Sequence, residues 1–214
     1  MVRLVENNDW VTASLFLSIL ALVFVLISLN RGSSIKEFIT QKAEGSSNVF
    51  LSWVISSAVF CLLSSVLFSQ YIPIVPKFVD ELNILGISLN KLGYCLIVVP
   101  LFYLIKAILS FIFYQCINQK KRFMNMQFSA SRLYFSGSIV LILLVFINYY
   151  FDLDRKMLFP YLITGMFVLY LFKLLTYSLN ERGALPKEWF YKILYICTLQ
   201  IAPMFVLWRL VFFN

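Results

Sequence analysis

The chain contains no histidine. Its six long apolar stretches also contain no aspartate or glutamate; the charged residues within them are Lys106, Lys173 and Arg209, with Lys192 at an edge. Without carboxylates or imidazoles, the apolar regions lack the groups that ordinarily relay protons or act as general acids and bases. Cysteine is scarce. Cys61, Cys95, Cys116 and Cys197 lie within or at the ends of apolar stretches with no close pair among them, so they read as small packing residues. Zinc requires clustered ligands, so no metal is expected, and no cofactor. Charge is scarce too, at 13% of residues against about a quarter in soluble domains.

What the chain has instead is apolar sequence, 61% of 214 residues, gathered in blocks of about twenty. A helix of that length crosses a bilayer core of about 30 Å. Barrel strands alternate apolar and polar residues, whereas these runs are continuous. The expected fold is an all-α polytopic membrane bundle, one integral domain over residues 1–214. Its six transmembrane helices fall near residues 10–29, 49–69, 92–114, 133–151, 158–179 and 190–213. Trp10, Trp53, Trp189 and Trp208 fall near span ends, the headgroup level that indoles favour. The first stretch is preceded by Arg3, Glu6 and Asp9, not by a basic segment, and no A-x-A site follows it. It reads as a retained helix, not a cleaved signal.

Loop charge sets the direction. With the N-terminus outside, the inner face collects twelve Lys/Arg and four acids, and the outer face six of each. All of the +8 net charge then lies inside, and both termini are expected outside. The inner cluster Lys120-Lys121-Arg122 is a topology signal that also suits anionic lipid headgroups. No soluble basic domain exists to carry nucleic acid. In the outer connection, Phe78, Leu82 and Leu85 beside Asp80, Glu81 and Asn83 have the spacing of a short surface helix. Ile35, Phe38 and Ile39, beside Lys36, Glu37 and Lys42, suggest another on the inner side, and Gly45-Ser46-Ser47 a flexible connection.

Two spans share a pattern. Tyr103-Leu104-Ile105-Lys106 recurs as Tyr170-Leu171-Phe172-Lys173, 67 residues later. Each lysine has a tyrosine three residues before it and a polar residue four after, Ser110 or Tyr177, spacings that share one helical face. Spans three–four and five–six thus read as a diverged repeat. The lysines either snorkel to the inner interface or line an inward cavity with the tyrosines. A cavity would suit an anionic headgroup or a partner's intramembrane carboxylate, since the apolar regions themselves hold no counter-charge. Gln200 is a further polar residue near mid-membrane. Pro100 and Pro203 each remove a helix hydrogen bond and either kink the helix or shape its packing. Ser57, Cys61, Ser65 and Ser69, at four-residue spacing, form a small-residue face for close helix packing.

The segment from Phe190 to Pro203, together with Asp9-Trp10 and the lysines of spans three and five, resembles the domain-of-unknown-function family numbered 4271. The resemblance implies a multi-span inner-membrane protein of Bacteroidota. That family commonly has an acidic residue where this chain has Gln200, and it brings no established activity.

Two functional expectations follow. The first is a non-enzymatic scaffold or accessory subunit of an envelope complex for secretion or assembly, partnered by lipids and other membrane subunits. The second is a small transporter or lipid-handling protein with a cationic inner cavity. Catalysis is not expected: no nucleophile stands with an activator, and Asp152 and Asp154 beside Arg155 and Lys156 read as a solvated turn.

Overall fold

A computed structural model of the chain describes residues 9–29, 35–40, 48–72, 83–84, 87–88, 91–151, 155–179 and 184–212. Helix α1 (Asp9–Phe24) runs into a π-helical turn, Val25–Leu29. Then come α2 (Ile35–Thr40), α3 (Val49–Ser69), the two-residue strands β1 (Asn83–Ile84) and β2 (Ile87–Ser88), α4 (Lys91–Cys116), α5 (Lys120–Tyr150) and α6 (Arg155–Leu179). The last span is composite: α7 (Trp189–Leu194), a π-helical segment (Tyr195–Ile201) and α8 (Ala202–Phe212). Among the described residues, six helical stretches are long and apolar enough to cross a membrane.

The spans lie where the apolar blocks place them, with one large difference. α5 begins at Lys120, thirteen residues before the expected Leu133. The segment Lys120 to Arg132 is rich in good helix formers such as Lys, Arg, Met, Gln and Ala. Charge hides it from a hydropathy reading, but it is not a loop. The turn before it is tight. Gln119 N–H reaches the Tyr114 carbonyl at 3.0 Å, and Asn118 takes a left-handed conformation at φ 54°, as residues ending helices commonly do.

The outer connection also departs from expectation. Asn83 pairs with Ser88 and Ile84 with Ile87 in an antiparallel ladder, so this part is not a surface helix. β-branched isoleucines favour strands. Phe78, Asp80, Glu81, Leu82 and Leu85 lie outside the described residues, as do Lys42 and Gly45-Ser46-Ser47. The expected inner helix is present as α2, its Phe38 buried edge-on against Phe135 at 4.9 Å.

The bundle's centre is α3, packed most extensively against α5 and next against α4. Lipid is as apolar as the side chains, so close packing, not water exclusion, holds such helices together. Small residues allow the approach. Ser52 Oγ lies 3.3 Å from Ser131 Oγ, and a Cβ on Gly137 would stand 3.1 Å from the Phe60 ring. The expected small-residue face of α3 divides between two uses. Cys61, Ser65 and Ser69 are buried, with Ser65 Oγ donating to the Cys95 carbonyl of α4 at 3.1 Å. Ser57 is half-buried.

Contacts between helices gather at the two ends of the bundle. At one end Trp10 meets Tyr149, and Asn148 accepts from Tyr71 and donates to Gln70. Leu207 of α8 packs beside Ile72, Tyr94 and Cys95 at this end too. At the other end Tyr114, Met126, Tyr177, Ala184, Leu185 and Tyr195 form a second core.

Candidate intramembrane cationic site

The two lysine stripes converge. A cavity of about 610 Å³ is walled by Tyr103, Lys106 and Ser110 of α4, by Lys173 and Tyr177 of α6, and by Tyr195 and Gln200 of the last span. Ser57 and Cys61 of α3 and Met126, Gln127, Ala130 and Tyr134 of α5 also line it. A smaller cavity of about 150 Å³ joins Tyr103, Lys106, Tyr170 and Lys173 on the other side of Tyr134. The i, i+3, i+7 spacing puts each Tyr–Lys–polar set on one face of its helix, and both faces turn inward.

Burial distinguishes Lys106 from a snorkelling residue, while Lys173 is half-buried. Lys106 is 7% exposed, and it lies ten residues before the end of α4 at Cys116, about 15 Å along the axis. Among the described residues it has no hydrogen-bond or ion-pair partner. Lys173 Nζ donates to the Tyr134 hydroxyl at 3.2 Å and stands 5.0 Å from the Tyr134 ring and 5.7 Å from that of Tyr177. These aromatic faces offset part of the cost of its desolvation. Neither contact supplies a negative charge.

Gln200 reaches the cavity because of the π-helical segment. In an α-helix residues five apart point in different directions, at 3.6 per turn. Here the Ala202 N–H bonds back to the Cys197 carbonyl, a five-residue closure that lays Gln200 over Tyr195. Gln200 Nε2 donates to the Tyr195 hydroxyl at 2.9 Å, and that hydroxyl donates to Met126 Sδ at 2.9 Å. Ser110 Oγ is 3.3 Å from it. Gln200 Oε1 and the Tyr170 hydroxyl are buried without a partner among the described residues. Pro203 is the second residue of α8, after the π turn. Pro100 lines the cavity while α4 continues through it.

The inner end is latched by the segment before α7. The Tyr114 hydroxyl donates to the Ala184 carbonyl at 2.8 Å, and Arg122 donates to the Leu185 carbonyl at 2.5 Å. Of the basic trio, Lys120 and Lys121 are exposed, while Arg122 is held in this latch.

Tyr134, Tyr195 and Gln127 were not apparent as site residues. Tyr134 lies at the edge of its apolar block, and its approach to Lys173 depends on α5 extending inward past it. Tyr195 depends on the π turn. No cluster of three or more potential metal ligands occurs among the described residues.

Fold and site together define a polytopic α-helical membrane protein with a lysine-bearing cavity among its spans. The sequence matches the family described as Domain of unknown function (DUF4271) over residues 11–211, and the chain belongs to that family. Comparison with curated proteins and with solved structures gives no match.

Proposed function

We propose that this protein is a small transporter or lipid-handling protein of a bacterial inner membrane, one that binds an anionic group in the cavity. Lys106 carries the reading: a buried cation without a partner among the described residues, facing the same cavity as Lys173. An intramembrane charge is costly unless paired or solvated, and a bound anion supplies the missing charge. A cavity of this volume falls within the range of small-molecule sites. The reading is non-enzymatic, and the charge distribution orients it with both termini on the periplasmic face.

A second reading, an accessory subunit of an envelope complex, draws on α6. None of the residues in its membrane window is buried, which leaves Tyr161, Phe167 and Phe172 facing outward. Lipid covers such a face, and so would a partner's helix. One experiment separates the readings: purification from native membranes in mild detergent, with mass spectrometry of lipids and proteins, for the wild type and a Lys106→Leu, Lys173→Leu variant. An anionic lipid or small molecule present only in the wild type supports the first reading. A stoichiometric protein lost with the lysines, and no such ligand, replaces it with the second.

A further inference from the structure

The walls of the cavity differ in chemistry from its mouth. Away from the mouth it carries Lys106, Lys173, Gln200 and four tyrosines in an otherwise apolar lining. The lining residues that also face outward are Val54 and Ala58 of α3 and Leu96, Leu104 and Ile108 of α4. They belong to two neighbouring helices, so the opening lies between those helices and faces the bilayer. α3 and α4 touch in their outer halves, where Ser65 meets the Cys95 carbonyl. Trp53 borders the opening near the inner end. Along α4 the lining runs from Leu96 to Ser110, about 21 Å at 1.5 Å per residue.

Toward the inner end the described residues form a packed layer. Tyr114, Tyr177 and Tyr195 are almost wholly buried, and Ala184 and Leu185 are latched over them. A soluble anion meets that layer, whereas an amphiphile meets an apolar slot with cations at its base.

Building on the anion-binding reading above, we infer that the ligand is an anionic phospholipid that enters sideways from the bilayer between α3 and α4. Its headgroup sits against Lys106 and Lys173, and its chains lie along the Val54, Ala58, Leu104 and Ile108 slot. This draws the headgroup well below the helix ends, the displacement that a protein moving lipid through or out of a leaflet has to produce.

Trp53 reports on the slot. The protein is reconstituted in phosphatidylcholine vesicles containing a small fraction of phosphatidylglycerol with brominated chains, or of phosphatidylcholine brominated alike. The Trp53 signal is the fluorescence difference from Trp53→Phe. The expected result is roughly tenfold stronger quenching per lipid by the anionic species, reduced to parity by Lys106→Leu, Lys173→Leu. Ala58→Phe, which fills the slot and leaves the lysines in place, abolishes the preference as well. Melting temperatures show that each variant is folded, and Ala58→Phe decides the matter if the lysine pair is not. Soluble glycerol phosphate is titrated in parallel by calorimetry. Lysine-dependent glycerol phosphate binding that Ala58→Phe does not alter, with no lipid preference, overturns sideways access but keeps the anion site. Equal quenching by both lipids with no glycerol phosphate binding overturns both.

Discussion

Lys106 and Gln200 bring a positive charge and an unpartnered carbonyl oxygen to one cavity. Gln200→Glu would add a carboxylate at nearly constant volume, internally neutralising the site. We expect this variant to fold and to lose bound anionic ligand by about tenfold, read by lipid mass spectrometry, whereas Gln200→Leu keeps the ligand. The residue pattern pointed to Lys106, Lys173, Tyr103, Tyr170 and Gln200 because polar groups stand out in apolar sequence at helical spacing. It did not reveal Tyr134 or Tyr195, whose roles depend on the neighbours they meet. Tyr134 becomes the partner of Lys173 only through the packing of α5 on α6.

Among the elements, α5 shows what hydropathy conceals. Its first thirteen residues, Lys120 to Arg132, look like a loop by charge, yet Met126 to Ser131 is the longest unbroken buried run in the helix. The π turn at Tyr195–Ile201 is likewise invisible to residue spacing, because Pro203 gives only a reason for the hydrogen-bond ladder to break near it. The lengths of α1, α3 and α6 were legible, being set by bilayer thickness. Two outcomes test this level. Gly137→Leu, which drives a side chain into the Phe60 ring, should destabilise by about 1–3 kcal/mol, seen as a lower melting temperature in detergent. Arg122→Ala removes a charge-assisted bond to the Leu185 carbonyl, worth about 1.5–3 kcal/mol. It should expose the segment before α7 to limited proteolysis while leaving α3 and α5 protected.

For the whole molecule, the spans alternate direction and the contacts agree at both ends, while the sidedness rests on charge. If twelve of eighteen Lys and Arg residues face the cytoplasm, Phe151→Cys in a background lacking the native cysteines reacts with an impermeant thiol reagent on spheroplasts. Lys121→Cys reacts only after the membrane is opened. The reverse pattern inverts the protein and with it the leaflet from which the slot is reached.

Lys106 and Lys173 are proposed jointly to hold one anionic group inside the membrane. An electron cryomicroscopy map of the protein, purified from native membranes into nanodiscs without lipid exchange, tests it most directly. Density is expected for a headgroup between the two ammonium groups, continuous with chain density leaving between α3 and α4. Lysines turned to the interface, or paired with a protein carboxylate while the cavity holds only water, would contradict it.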